Sequence, residues 1–412
     1  MSLDLLIVGS GLAGLFAANL AVDKGLTVHI VSRGQGGLSL AHGCIDIFNS
    51  ANPARSIRKL PDTHPFNTAS IASLKAAIKE FRAIASGVGI EYTGGYSSSI
   101  PLLSSAGSPF RTTLVPDTMI KGRLDDTSPI TIAGLENYRD FWAEKITSQA
   151  KRHGIKIRST LVLPMLHSDI QRDLYATDIA KLLESDSFRE ESWRAWKPKL
   201  TGQKRVGIPA IMGIHNTVDL LREAEEYFGI ELFEIPTLPP SLPGIRLEGA
   251  LKERILRKGG SYTEGPDARG RIDGRSKGKL AAGVQLSSAG GLRSLNARAV
   301  LLASGGFLHG GLQAYHNGSV VESVFGAPVN NVIPRTQWTS THFWDTQQYA
   351  YMGLETDGLM RPLDYRGKPL LENLFAVGGL LSGADRTHEG SRQGIDLATA
   401  HQAIESIVSF LN

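Results

Sequence analysis

The spacing of apolar residues changes several times along the first 34 residues. The changes indicate a strand, a turn, a helix and a second strand in succession. Residues 3–8 (LDLLIV) form a short apolar run that is typical of a buried strand. A helical pattern follows over 12–24 and stops at Gly25, a residue suited to the end of a helix. Residues 27–32 (TVHIVS) then read as a second strand. The pattern therefore predicts a βαβ unit at the start of the chain.

The pattern further along the chain predicts a second α/β domain, inserted into the domain that begins with this βαβ unit. Residues 129–164 give another β–α–β pattern without a glycine turn, and 216–229 give an amphipathic helix. We therefore expect an α/β protein with an inserted α/β domain over 51–235. The domain that begins the chain is then discontinuous and comprises 1–50 and 236–412.

A glycine turn, GSGLAG, joins the first predicted strand to the first predicted helix. In such a turn Gly9 allows the sharp bend, Gly11 lets a phosphate approach the backbone, and Gly14 lets the helix pack on the strand. The amides at the start of the helix offer hydrogen bonds and a positive dipole end to an anion. The predicted cofactor-binding residues of this turn are Gly9, Ser10, Gly11, Leu12, Ala13 and Gly14.

The second strand ends without the acidic residue that holds the adenosine ribose in many dinucleotide-binding folds. Ser32 stands at that position and Arg33 follows it. We include both residues among the candidate cofactor contacts. A serine and an arginine here are also compatible with the 2′-phosphate of NADP, so the residues alone leave the choice of nucleotide open.

Two further glycine segments follow predicted strands, in the order found in FAD-dependent oxidoreductases. Together with GSGLAG they predict a Rossmann-like FAD/NAD(P)-binding fold, in which the discontinuous domain over 1–50 and 236–412 binds the nucleotide. ASGG (303–306) follows the strand AVLL, and NLFAVGG (373–379) precedes HEGSRQG (388–394), which opens the last helix. Many such flavoproteins place an acid at the position of Gly379. The amides at the start of the last helix are positioned to face the pyrimidine carbonyl of a flavin. The added candidate contacts are Ser304, Gly305, Gly378, Gly379 and Gly394.

Candidate residues for catalysis are less well specified. Ser39, a candidate cofactor contact, and His42 lie in the glycine loop after the second strand, which borders the isoalloxazine in related flavoproteins. His309 is a candidate proton carrier, and Arg392 is a candidate partner for a reduced flavin or a phosphate. Spacing singles out none of them, so the catalytic residues remain open.

Composition excludes several classes of protein. The 44 basic and 40 acidic residues give a net charge of +4, too mild for a nucleic-acid-binding protein. One cysteine, Cys44, cannot form an internal disulfide or hold an iron–sulfur cluster. We find no metal-ligand spacing, no signal-peptide pattern and no apolar run long enough for a membrane span.

The chain resembles the B subunits of anaerobic glycerol-3-phosphate dehydrogenases. The matching stretches run along nearly the whole chain and include GSGLAGL, VSRGQGGLSLAHGCIDI, ITIAGLENYRDF, PTLPPSLPGIRLEGAL, LLASGGFLHGGL and ENLFAVGGLLSGAD. The resemblance implies a cytoplasmic FMN-dependent flavoprotein, peripheral at the inner face of the membrane through its partners. It also implies an A subunit that oxidises glycerol 3-phosphate to dihydroxyacetone phosphate at FAD, and an iron–sulfur C subunit that passes electrons to quinone.

FMN has no adenosine, so an FMN site needs no acid at Ser32. FAD is the alternative that the dinucleotide motif indicates. Two other functions stay open: a non-catalytic scaffold subunit with a degenerate flavin fold, and a flavin or NADP oxidoreductase that acts on another substrate.

Overall fold

A computed structural model describes residues 3–166, 173–274, 279–330 and 333–412. The chain forms two compact units. The first comprises Met1–Gly37, Asp46–Ile84 and Ala250–Asn412, and the second comprises Leu38–Ile45 and Ala85–Gly249.

The strands, in chain order, are β1 (Leu3–Val8), β2 (Val28–Ser32), β3 (Tyr92–Gly94), β4 (Ile100–Leu103), β5 (Pro109–Thr112), β6 (Leu114–Pro116), β7 (Ile130–Leu135), β8 (Ile157–Leu163), β9 (Arg205–Pro209), β10 (Glu231–Ile235), β11 (Ser261–Glu264), β12 (Asp267–Asp273), β13 (Leu280–Ser288), β14 (Gly291–Leu302), β15 (Leu312–Ala314), β16 (Val320–Glu322) and β17 (Leu374–Ala376).

The α-helices are α1 (Leu12–Asp23), α2 (Pro53–Ile57), α3 (Pro65–Ala69), α4 (Ile71–Ser86), α5 (Asp117–Ile120), α6 (Ala143–Arg152), α7 (Ala176–Leu183), α8 (Asp186–Leu200), α9 (Thr217–Phe228), α10 (Leu242–Arg257) and α11 (Arg392–Leu411).

The main sheet of the first unit is parallel in the order β11–β2–β1–β14–β17. The first part of β14 also pairs with the antiparallel strands β13 and β12. Strand β1 lies in the middle of this sheet, with β2 and β11 on one side and β14 on the other. In open α/β sheets a ligand crevice lies at such a reversal of strand order, at the carboxyl ends of the strands. The glycine turn after β1 and the segment after β14 both start at this edge.

The second unit has its own parallel sheet in the order β10–β9–β7–β8. Helix α6 connects β7 to β8, and α9 connects β9 to β10. Inside this unit Glu234 of β10 accepts hydrogen bonds from both terminal nitrogens of Arg246, at 2.6 and 2.9 Å, and both side chains are buried. A buried pair of this kind is satisfied only as long as both partners are present.

The α/β fold class and the first βαβ unit are as predicted, and α1 ends at Asp23, two residues before Gly25, whose φ is +78°. The compact units differ from the predicted domains in the assignment of three segments, 38–45, 51–84 and 236–249. The segment over 46–84 lies in the first unit because its backbone and side chains bond there. Gly394 donates its N–H to the carbonyl of Asp46 at 2.9 Å, and the ring of His64 lies 3.1 Å from a carboxylate oxygen of Glu389.

In the described ranges, no helix is both long and apolar enough to cross a membrane. The same residues contain no group of three or more His, Cys, Asp or Glu side chains placed to hold a metal ion.

Candidate flavin site

The turn between β1 and α1 contains three glycines, two required by close packing and one that faces open space. Gly9 has φ +116°, and a Cβ there would overlap the carbonyl of Ala303. A Cβ at Gly14 would overlap the carbonyl of Gly9, so Gly14 lets α1 pack against the turn. Gly11 differs, because a Cβ on it would meet no heavy atom of the described chain within 4 Å. The fold does not require glycine there, and the open space in front of Gly11 is where a phosphate would approach.

The end of β2 is closed by hydrogen bonds among small side chains. Ser10 Oγ donates to Ser32 Oγ at 2.8 Å, and Ser32 Oγ donates to the carbonyl of Gly34 at 2.5 Å. Arg33 points into solvent, with its Nε 3.3 Å from Oδ1 of Asp267. Ser32 is therefore buried and satisfied within the protein, and Arg33 already faces a carboxylate.

A carboxylate does stand beside Ser32, but it comes from the neighbouring strand. Glu264, the last residue of β11, pairs in register with Ser32 in the parallel sheet. Neighbouring strands lie about 4.8 Å apart, and paired residues project from the same face. The side chain of Glu264 is 43% exposed and accepts a hydrogen bond from the hydroxyl of Tyr262 at 3.2 Å.

The ends of β14 and β17 lie close to the glycine turn. Gly378 has φ +69°, and a Cβ on it would lie 3.0 Å from Cβ of Ala13 in the first turn of α1. Gly305 has φ +75° and lies against the side chain of His309. In the described part of the chain, the buried Oγ of Ser304 has no hydrogen-bond partner. The three predicted glycine segments thus meet in one place.

Gly379, which replaces the usual acid, is faced by an arginine. A Cβ on Gly379 would overlap Nη1 of Arg386. Nη2 of Arg386 donates to Oδ1 of Asp396 at 2.5 Å and to the carbonyl of Arg392 at 2.8 Å. The buried Nε of Arg386 and Oε1 of Gln393 have no partner among the described residues. Burial raises the pKa of the Asp396 carboxyl, and the charge of Arg386 opposes that rise.

The start of α11 is more closed than the sequence indicates. A Cβ on Gly394 would lie 2.9 Å from Cα of Ile47, and the N–H of Gly394 is taken by the carbonyl of Asp46. Glycine is therefore needed for packing at this position. Arg392 is exposed and donates from Nη2 to the hydroxyl of Thr387 at 2.6 Å.

The candidate catalytic residues lie in different surroundings. Nε2 of His309 would lie 2.8 Å from a Cβ placed on Gly37, and partial burial lowers the pKa of the His309 imidazole, so the ring is neutral near pH 7. His42 belongs to the second unit, where its Nδ1 accepts the N–H of Cys44 at 3.2 Å and its ring packs on Phe110. Ser39 lies in the same unit and accepts the N–H of Ser241 with its carbonyl at 2.7 Å.

These features fit a flavin. The open space at Gly11 suits a phosphate at the start of a helix. Three orphaned polar atoms (Ser304 Oγ, Arg386 Nε and Gln393 Oε1) lie along the strand ends and the start of α11. Buried polar groups are normally paired, so their lack of partners among the described residues points to a bound group that carries both donors and acceptors.

A family model described as FAD binding domain matches residues 4–395. The chain belongs to this FAD binding domain family. It is therefore a flavoprotein of the oxidoreductase type, and the predicted flavin cofactor is confirmed at that level.

Several curated relatives of this FAD binding domain protein share one name. The chain is 26% identical to the B subunit of the anaerobic glycerol-3-phosphate dehydrogenase of Aliivibrio fischeri (strain ATCC 700601 / ES114), over 100% of this chain and 96% of the relative. It is 29% identical to the protein of the same name from Yersinia pseudotuberculosis serotype I (strain IP32953), over 99% of both chains. The resemblance found in the sequence is confirmed.

Among solved structures, a 3-ketosteroid delta1-dehydrogenase from Sterolibacterium denitrificans is 12% identical and aligns over 99% of this chain and 100% of its own. Its TM-score is 0.48.

Two residues of this site escaped the sequence analysis. Arg386 and Glu264 belong to no motif, and only the packing of α11 and the register of β11 bring them to the strand ends. The absence of an acid at Ser32 and Gly379 was visible in the sequence, and it was the one signal that pointed to replacements elsewhere.

Proposed function

We propose that this chain is the flavoprotein subunit of a respiratory glycerol-3-phosphate dehydrogenase. Its complex oxidises glycerol 3-phosphate to dihydroxyacetone phosphate, and the electrons pass to quinone through an iron–sulfur partner. The observation that carries this proposal is the end-to-end similarity to relatives named as the B subunit of that enzyme. The assembled glycine segments, with open space at Gly11, support a working flavin site over a degenerate scaffold.

For the cofactor we propose FAD, with FMN as the alternative. The family model is that of an FAD binding domain, which favours the dinucleotide. The sequence argument for FMN rested on the missing acid at Ser32, and Glu264 weakens that argument because its carboxylate stands one strand away in register. NADP is disfavoured because Arg33, the candidate partner of a 2′-phosphate, faces Asp267.

The residues of the site take distinct roles in this proposal. The turn from Gly9 to Gly14 holds the phosphates, and Glu264 accepts hydrogen bonds from the ribose. The chemistry that a flavin supplies when bound is uptake of a hydride equivalent from the alcohol carbon. His309 is the side chain to which we assign the hydroxyl proton, because its imidazole is neutral near pH 7 and is held at the strand end beside Gly305.

The single cysteine makes partners necessary for this function. One thiolate cannot hold an iron–sulfur cluster, so a quinone-linked route needs a cluster on another chain. We propose the A subunit and the cysteine-rich, membrane-bound C subunit of the same complex as partners. In that assembly this chain lies on the cytoplasmic face of the membrane.

The test starts with the purified chain. Its flavin is released by denaturation and identified by mass, which separates FAD, FMN and an empty scaffold. Anaerobic bleaching of the flavin absorbance by glycerol 3-phosphate is then followed for the chain alone and for the chain co-expressed with its partners. A bound flavin that the substrate does not reduce in the full complex would exclude glycerol 3-phosphate and leave an oxidoreductase with another substrate.

A further inference from the structure

The first unit displays a group of large apolar side chains to solvent. Leu308 is 90% exposed, and Phe343 and Trp344 are each 82% exposed. Tyr349, at 41%, completes the group, and we call these four side chains the aromatic surface. Single exposed apolar side chains are ordinary, whereas a contiguous group of them marks an interaction site.

The aromatic surface is built from two segments of the chain, 303–321 and 336–351, which pack on each other. The ring of Phe307 in the first segment lies 6.4 Å from the ring of Trp338 and 6.1 Å from the ring of Tyr349 in the second. Leu308 directly follows this ring in the chain. The exposed side chains therefore belong to one continuous surface.

The loop at the tip of the second segment is held in one conformation by a side-chain amide. Nε2 of Gln347 donates to the carbonyls of His342 and Asp345 at 3.1 and 2.9 Å. Its Oε1 accepts the N–H of Ser340 at 2.9 Å, and the hydroxyl of Ser340 donates to Asp345 at 2.7 Å. The two aromatic rings at the tip contact each other edge to face, with their centres 5.0 Å apart. A loop that is already ordered loses little conformational entropy when it binds a partner.

The two segments are almost free of charge. Among their 35 residues the one Lys, Arg, Asp or Glu is Asp345, whereas 20% of the whole chain is charged. Arg335, just before the second segment, lies 5.9 Å from the centre of the Trp338 ring and donates to the carbonyl of His316 at 3.2 Å. The core of a protein–protein interface is depleted in charge and enriched in aromatic residues, whereas apolar anchors for an anionic membrane are accompanied by Lys and Arg. The aromatic surface therefore suits an uncharged, apolar patch on a protein better than a lipid bilayer.

The aromatic surface adjoins the candidate flavin site. Leu308 is the neighbour of His309, and a Cβ on Gly305 would lie 2.9 Å from Cβ of His309. Gly305 follows β14 at the carboxyl edge of the main sheet, where the glycine segments meet. Electron transfer slows steeply with distance, so a chain that accepts electrons from the flavin has to dock close to this edge.

We propose that the aromatic surface docks the iron–sulfur partner of this chain, with Phe343 and Trp344 as anchors that insert into an uncharged, apolar patch on that partner. The proposal rests on the function proposed above, which requires a cluster on another chain. It adds the place on this chain where that partner binds.

The test measures the affinity of the purified, flavin-loaded chain for the C subunit in detergent solution. In the double variant Phe343→Ala/Trp344→Ala the dissociation constant should rise about 30-fold or more, because two aromatic anchors are lost. The affinity of the unchanged chain should vary little between about 50 and 500 mM salt, because no charged pair contributes to it. Each single variant should lose about tenfold, so either one carries the test if the double variant does not fold.

A matched control is Tyr365→Ala in the same unit. Tyr365 is 89% exposed, but it lies between Asp364 and Arg366 in a charged turn. Its loss should leave the affinity for the C subunit unchanged. In the double variant, flavin content, melting temperature and reoxidation of the reduced flavin by a small dye should stay those of the unchanged chain, because both rings project into solvent.

Several results would overturn the proposal. A folded double variant that binds the C subunit as tightly as the unchanged chain would show that the partner docks elsewhere. Loss of binding to the A subunit alone would assign the surface to that subunit, and a dimer of the unchanged chain that the double variant dissociates would assign it to a second copy. Binding of the unchanged chain, but not of the double variant, to vesicles of phosphatidylcholine and phosphatidylglycerol would make the surface a membrane anchor. If the unchanged chain binds neither subunit, the function proposed above fails, and the docking role fails with it.

Discussion

Replacement of Gly11 by alanine is expected to remove the flavin and leave the fold intact. Gly11 precedes α1 with φ −69° and ψ −179°, an extended conformation that alanine adopts without strain. Its Cβ would meet no heavy atom of the described chain within 4 Å, so the protein itself has room for a methyl group. A phosphate that approaches the same backbone would collide with that methyl group.

The magnitudes separate the two effects. Alanine is a poorer residue than glycine before a helix by up to about 1 kcal/mol, but it lowers the entropy of the unfolded chain by about 0.4–1 kcal/mol, so the stability hardly changes. In the complex, the methyl group displaces a charged phosphate from a backbone N–H, which costs about 1.5–3 kcal/mol per lost bond. Flavin affinity should therefore fall about 10- to 100-fold, and further in Gly11→Val.

The assay pairs flavin content after gel filtration with thermal unfolding of flavin-free protein. Gly358→Ala is the matched control, because Gly358 also has open space around its Cα and an ordinary φ but lies away from the turn. Gly14→Ala is the opposite control. Its Cβ would overlap the carbonyl of Gly9, so the melting temperature itself should fall. A folded Gly11→Ala protein with one flavin per chain would show that this turn does not bind the phosphate.

Further predictions test the ribose contact, the core of the second unit and a half-buried histidine. Glu264→Gln should weaken FAD binding about tenfold in a fluorescence titration and leave FMN binding unchanged. Glu253→Gln is the surface control, and equal losses of affinity for both flavins would contradict the ribose role. Arg246→Met leaves a buried carboxylate unpaired and should cost about 3–5 kcal/mol in urea unfolding, against about 0–1 kcal/mol for the exposed Arg222→Met. Burial lowers the pKa of His29, with a smaller effect from a nearby arginine, so the unfolded chain binds more protons near pH 6. Stability should therefore fall as the pH drops below about 6.5, and a His29→Gln protein should show a flatter pH profile in thermal unfolding.

The sequence by itself determined the first βαβ unit and the position of its glycine turn. These features are local: a buried strand, three glycines at fixed spacing and a helix that starts directly after the second glycine all lie within a short stretch of chain. Gly9 and Gly14 are dictated by contacts with their immediate neighbours in the fold, which the spacing already implies. The FAD-type fold followed because two more glycine segments come after strands in the expected order.

The charged side chains that lie beside Ser32 and Gly379 were decided only by the tertiary structure. Glu264 and Ser32 are far apart in the sequence, and they meet because β11 pairs with β2 in one particular register. Arg386 meets Gly379 because Asp396 of α11 draws its guanidinium towards the end of β17. Gly394 looked like part of an open helix start, yet it is filled by the backbone of Ile47. A strand register or a packed helix face depends on every residue that the two elements bury together, so short motifs do not encode it.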